Sequence, residues 1–174
     1  MPATIVMGGQ WGDEGKGKLT DALAGRAGMV VRANGGANAG HTVETDQGVF
    51  KLHLVPSGVL NPACECVIGS GVVINLGSLI KEMDELEDRG ISLARLRIAE
   101  RAHVVLPFHP LLDRLEEESR AEDQIGTTKT GNGPAYADKV ARRGIRIVDL
   151  LDDEVLRYKV ERAVLEKNAV LTKG

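Results

Sequence analysis

The segment Gly8-Gly9-Gln10-Trp11-Gly12-Asp13-Glu14-Gly15-Lys16-Gly17-Lys18 holds five glycines in eleven positions ahead of a helical pattern. Such a loop can aim several backbone N–H groups at one anion, and the helix N-terminus adds partial positive charge; phosphate is the obvious anion. The stretch from Gly12 to Lys18 satisfies G-x-x-x-x-G-K, but Leu19 follows where a hydroxyl would hold magnesium. Asp13 and Glu14 put carboxylates inside the cradle, which repulsion forbids unless one binds a metal or moves a proton. Asp13 is therefore a candidate catalytic residue. The plainer alternative is a glycine-rich turn capped by Asp13, with Lys16 and Lys18 solvated. Acid, lysine and glycine interleaved at the end of an apolar run favour the chemical reading.

A second loop, Asn34-Gly35-Gly36-Ala37-Asn38-Ala39-Gly40-His41-Thr42, offers only small residues before one titratable ring. Backbone can approach a ligand there, and His41 is the natural acid. The other histidines, His53, His103 and His109, read as packed or surface residues. A third loop, Gly126-Thr127-Thr128-Lys129-Thr130-Gly131-Asn132-Gly133-Pro134, carries three hydroxyls and free amides ahead of a helix, with Arg142 and Arg143 beyond it. It suits a second phosphate. A polar surface loop whose threonines cap the helix and whose arginines complement its C-terminal dipole fits those residues as well.

Positioning these loops requires an α/β scaffold. Residues 4–8 form an apolar, β-branched run, 16–27 read as a helix with Leu19, Ala22, Leu23 and Ala27 on one face, and 29–33 read as a buried strand. Strand, helix and strand make a βαβ unit, which brings the first two loops to the carboxyl edge of a parallel sheet. Residues 42–45 and 49–55 flank Asp46-Gln47-Gly48 as a hairpin, and 66–68, 71–74, 96–99 and 103–106 are further strands. Helices are expected over 76–89, closed by Gly90, over 111–120, from Pro134 at the first helical position, and over 152–171. The fold class is α/β: a P-loop-like open, largely parallel sheet with flanking helices and a β-hairpin, in a single nucleotide-binding domain over 1–174.

The composition sets bounds. At 174 residues with 43% hydrophobic and 27% charged, the chain can bury one core. A net charge of −3 with 3% aromatics argues against broad nucleic-acid or anionic-membrane binding. No leader-like or membrane-length apolar run is present, so a cytoplasmic location is expected. Cys64 and Cys66, two apart, lack the further ligands of a zinc site and read as reduced strand residues. The run from Glu116 to Glu118 reads as a solvated helix face.

Three separated motifs carry a resemblance: Gln10-Trp11-Gly12-Asp13-Glu14-Gly15-Lys16-Gly17-Lys18, Gly35-Gly36-Ala37-Asn38-Ala39-Gly40-His41-Thr42, and His53-Leu54-Val55-Pro56-Ser57-Gly58. With Gly126-Thr127-Thr128, Gly133-Pro134-Ala135-Tyr136 and Ala141-Arg142-Arg143-Gly144, they make the chain resemble the N-terminal portion of adenylosuccinate synthetases. Those enzymes couple GTP hydrolysis, with Mg2+, to joining IMP and L-aspartate, and they are cytoplasmic homodimers. The resemblance implies that Asp13 is the base at N1 of IMP and that Asp13 and the Gly40 carbonyl hold the metal. It implies that His41 is the acid at the transferring phosphoryl group. GTP would touch Gly12, Asp13, Glu14, Gly15, Lys16, Gly17, Lys18, Gly40, His41 and Thr42. IMP would touch Asp13, Glu14, Gly15, Lys16, Asn38, Ala39, Gly40, His41, Thr128 and, from the neighbouring subunit, Arg142. The chain departs from the family's usual Gly-Thr-Thr-Gly-Arg-Gly-Ile-Gly-Pro at Lys129, Thr130 and Asn132. The guanine and aspartate sites are expected beyond Gly174, which makes the chain alone an inactive fragment. A P-loop GTPase-like module is the competing class, disfavoured by Leu19 and the Asp13-Glu14 pair; a noncatalytic nucleotide-binding fragment is another.

Overall fold

The computed structural model describes residues 2–10, 14–38, 40–46, 48–123 and 125–172. Its order is helix α1 (Lys16–Ala24), strands β1 (Met29–Gly35), β2 (His41–Thr45), β3 (Gly48–Leu52) and β4 (Glu65–Ile74), helix α2 (Leu76–Asp88), short strands β5 (Leu96–Ile98) and β6 (His103–Val104), then helices α3 (Phe108–Ser119), α4 (Asn132–Val140) and α5 (Asp153–Leu171). β4 is the hub. It pairs in parallel with β1 and β5 and, at its far end, with β6, while β2 and β3 form a separate antiparallel hairpin with His41 opposite Leu52. The mixed α/β architecture with a parallel sheet is as expected.

β4 alternates in burial because Cys66, Ile68, Val72 and Ile74 face one layer, joined by Leu52, Leu54, Phe50, Leu79 and Leu86 into the main core. α2 reaches that core through Leu79 and Leu86, and Asn75 caps it by accepting the Ser78 N–H at 3.0 Å. Cys64 and Cys66 are free and buried, and burial pushes the Cys66 thiol up to about 12, with Cys64 and Glu65 adding to the shift.

Several expectations are corrected. Residues 4–8 form no strand: Ile5 and Met7 are each 81% exposed, and no described residue pairs with the run. An apolar run becomes a strand only where a neighbour takes its N–H and C=O groups; β1 instead pairs in parallel with β4 across a connection that holds the hairpin, and the βαβ unit is β4–α2–β5. α1 also turns the other way. Gly17 is buried against His41 of the hairpin and Ala24 in the main core beside Asn61, whereas Leu19 and Leu23 face out. In α4, Pro134 stands at the third helical position rather than the first, a place where its missing N–H still costs no intrahelical bond. The run from Glu116 to Glu118 is not uniformly solvated: Glu116 and Glu118 are exposed, but Glu117 is buried on α3.

Candidate functional site

The first loop ends at Gly15, whose left-handed backbone (φ 80°) caps α1 without any side-chain cap, so the helix's first N–H groups are not taken by a cap side chain. Glu14 closes this loop on itself, accepting the Gln10 N–H at 2.9 Å and pairing with Lys16 at 2.5 Å. A phosphate entering here would therefore compete with the Glu14 carboxylate for Lys16. Gly12 and Asp13 lie outside the described residues, as does Ala39.

The first turn of α1 then packs on the second loop. Gly17 sits so near His41 that a Cβ there would come within 2.7 Å of the imidazole's Cγ and Nδ1. His41, expected on the second loop, is instead the first residue of β2, and the ladder to Leu52 fixes its backbone. Burial pushes the His41 pKa down, and the charges of Arg32, Lys16 and His53 push it the same way. All four influences favour the neutral ring. The His53 ring lies beside Gly40.

Arg32 ties the second loop down. Its guanidinium donates to the carbonyls of His53 and Gly36, the latter at 2.7 Å. Glu82, buried on α2, accepts the N–H groups of His53, Leu54 and Val55 at 2.8, 2.8 and 3.1 Å. These two residues were missed because a charged residue inside a strand or helix pattern carries no local sign of what it will hold.

The third loop meets the second from the other side. The Tyr136 hydroxyl accepts the Gly35 N–H at 2.8 Å and donates to the Gly71 carbonyl at 2.8 Å. Gly36 is buried against the Asn132 carboxamide, whose nitrogen and oxygen are both sealed from solvent without a hydrogen-bond partner among the described residues. The three loops therefore converge, the first and second through Gly17 and His41, the second and third through Gly36 and Asn132.

The third loop's amides are less free than its sequence implies. Glu117 accepts the N–H groups of Gly126 and Thr127, and Asp113 accepts that of Gly131 at 2.8 Å. Thr128 and Lys129 are exposed or half-exposed at the loop's crest, and the Thr128 and Thr130 hydroxyls are 3.0 Å apart. Lys129 adopts a left-handed φ of 55°, a position more natural for the glycine of the related pattern. His109, read as an ordinary packed residue, is buried: its Nδ1 accepts the Leu106 N–H, so Nε2 carries the proton toward Asp138 at 3.1 Å. Lys167 of α5 binds the other Asp138 oxygen at 2.6 Å.

Arg142 stands apart. It lies past the C-terminus of α4, about 14 Å along the helix from the loop at its N-terminus. It is exposed, has a left-handed φ of 60°, and makes no side-chain hydrogen bond or ion pair among the described residues. Asn38, Gly40, Thr42 and Lys18 are likewise exposed. No helix of the described residues is long and apolar enough to cross a membrane.

The family model of adenylosuccinate synthetase matches residues 5–174. The adenylosuccinate synthetase of Thermomicrobium roseum is 57% identical over 172 residues, covering 98% of this chain and 40% of the relative. That of Synechocystis sp. is 56% identical over 169 residues, covering 97% and 38%. The chain thus spans about 40% of the length of the curated relatives it matches. Among solved structures, fully ligated adenylosuccinate synthetase from Plasmodium falciparum superposes with a TM-score of 0.81 at 40% identity, over 90% of this chain and 37% of that one. The cyanophage S-2L succinoaminodeoxyadenylate synthetase, bound to dGMP and dATP as an energy donor, gives a TM-score of 0.57 at 27% identity, over 83% and 40%. With the three motif loops assembled on a matching fold, the chain belongs to the adenylosuccinate synthetase family.

Proposed function

We propose that this chain carries the phosphoryl-transfer half of GTP-dependent ligation of IMP and L-aspartate to adenylosuccinate. The observation that carries this reading is the packing of Gly17 on His41, which sets a helix N-terminus that carries no side-chain cap among the described residues beside one neutral imidazole. A nucleoside triphosphate would take the α1 N-terminus with Lys16 and Lys18. Glu14 would yield Lys16 to the incoming phosphates, since a dianionic oxygen attracts the ammonium more strongly than one carboxylate.

In this reading His41 receives its role from the substrate. A neutral ring donates a hydrogen bond to a phosphoryl oxygen, and the accumulating negative charge beside it would raise its pKa toward that of an acid. Asp13 would take the proton from N1 of IMP. The exposed Gly40 leaves its carbonyl room for an ion, and Mg2+ is commonly held by one or two carboxylates with substrate phosphates, a demand Asp13 and Gly40 would meet. Bound there, the metal would neutralise phosphate charge. Asn38, Ala39 and Thr128 would meet IMP, with its phosphate at the seam between the second and third loops. Arg142, at the opposite end of α4 from the third loop, would serve a partner subunit's IMP in a homodimer.

The test is titration of the purified 174-residue chain with GTP and Mg2+, and separately with IMP, followed by amide NMR. GTP should shift residues 15–18, and IMP should shift 35–38 and 126–130. Saturating ligand without these shifts overturns the reading.

A further inference from the structure

α3 presents an unusual face. His109, Asp113 and Glu117, each four residues apart, are 1%, 7% and 3% exposed, so a polar stripe rather than an apolar one is buried. Burying carboxylates is costly unless their oxygens are bonded, and here the bonds go to a single target. One Glu117 oxygen, Oε1, accepts both the Gly126 and Thr127 N–H groups, and Asp113 Oδ2 accepts Gly131 N–H.

These contacts bracket the loop at both ends. Between them the chain passes through left-handed backbone at Gly126 (φ 77°), Lys129 (φ 55°) and Gly131 (φ 78°). Gly131 also lies directly on the first turn of α3, where a Cβ would come within 2.6 Å of backbone at His109 and Pro110. A six-residue loop with three left-handed residues has no repeating hydrogen bonds of its own. Its shape is imposed from α3.

We propose that Glu117 and Asp113 are positioning residues that clamp the 126–131 backbone so that Thr128 and Thr130 face the nucleotide monophosphate. This rests on the reading of the third loop as part of the IMP site. The clamp works by acceptor geometry: it consumes three N–H groups and leaves exposed Thr128 and Lys129 at the crest, the Thr128 hydroxyl 3.0 Å from that of half-buried Thr130. Burial opposes the Glu117 charge, but the N–H groups of Gly126, Ile125 and Thr127 outweigh it and hold that carboxyl below its usual range.

The test compares Glu117→Leu, Glu117→Gln and Asp113→Leu in the purified chain. Because the Gly126 and Thr127 bonds both end on Glu117 Oε1, a glutamine can keep those two and a leucine cannot. Glu117→Leu should weaken IMP binding about tenfold, the loss of about 1.4 kcal/mol expected for one or two hydrogen bonds, with GTP affinity unchanged. Glu117→Gln should restore IMP affinity to within about threefold. Should Glu117→Leu prevent folding, Asp113→Leu, which removes only the Gly131 bond, carries the same test. Unchanged IMP binding in a folded leucine variant, or equal losses for IMP and GTP, overturns the clamp. Hydrogen exchange separates the clamp from the functional reading: protected amides at 126, 127 and 131 that become fast in the leucine variant, in a chain that binds no IMP, would keep the clamp and overturn the functional reading. Fast exchange at those amides in the unaltered chain would overturn the clamp itself.

Discussion

His41 and Gly17 are in contact across the boundary between the hairpin and α1, with no room for a single carbon between the helix backbone and the imidazole. This close approach, rather than any hydrogen bond, brings the first loop to the second. Gly17→Ala would drive its Cβ to 2.7 Å from the ring and force the helix or His41 to move. Overpacking of this kind costs about 1 to 3 kcal/mol. A lowered Tm, with loss of GTP-induced shifts at 15–18, is expected; a stable variant binding GTP normally would place the two loops farther apart than described.

Glu82 offers two oxygens to three N–H donors. Glu82→Gln keeps the shape but turns one oxygen into a donor, leaving at least one buried N–H of His53, Leu54 or Val55 facing another N–H. Such a mismatch costs about 1 to 3 kcal/mol. Chemical denaturation should show that loss, and the amides of residues 53–55 should lose protection first.

Asn132 makes the opposite prediction. Both polar atoms of its carboxamide are buried unpaired against Gly36, so the isosteric Asn132→Leu removes two desolvated groups without opening a cavity. The variant should be more stable by about 1 kcal/mol or more. A fall in Tm would mean that the amide is bonded in solution.

Stability should depend on pH through the histidines. Burial lowers the pKa of His41, His103 and His109 below the ordinary 6.5, so between their folded values and 6.5 the unfolded chain binds more protons than the folded one. Stability therefore rises with pH through that window and levels off above it. The depressed carboxyls of Asp138 and Asp149 act lower, holding their contribution above 3.8 and losing it as pH falls further. A Tm profile that is flat from about pH 4.5 to 6.5 would contradict the burial of the three rings.

The elements legible in the sequence were those whose pattern and partners lie close together. α2 shows its helical spacing and closes near Gly90, and the hairpin is announced by Asp46-Gln47-Gly48 between β-prone runs. The strand expected at 4–8 failed because a ladder depends on a partner, which local composition cannot reveal. The three glycine-rich loops were visible because glycine and small polar residues are costly without a reason. What holds those loops was not. Arg32, Glu82, Asp113 and Glu117 look like ordinary charges in strand or helix patterns, and only the tertiary packing shows them committing donors and acceptors to loop backbone. Glu117 is the clearest case, since its neighbours Glu116 and Glu118 are the solvated residues expected of such a run.

Arg142 allows its conformational and functional roles to be separated. Its left-handed φ of 60° is disfavoured for a side chain with a Cβ by about 1 kcal/mol, and no side-chain hydrogen bond or ion pair among the described residues compensates. Arg142→Gly should therefore stabilise the isolated chain by up to about 1 kcal/mol, whereas Arg142→Leu, which keeps the strain, should leave its stability unchanged. Both remove the guanidinium. If that cation reaches a partner subunit's IMP, both should weaken IMP binding in a dimeric, full-length form while sparing GTP. Mixing Arg142→Leu with Asp13→Asn protein should then recover activity, because hybrid dimers contain one site with both residues intact. A confirmed mixed dimer that stays inactive would sink the assignment in trans, and a loss of stability in Arg142→Gly would show that the guanidinium holds the end of α4 in its own chain.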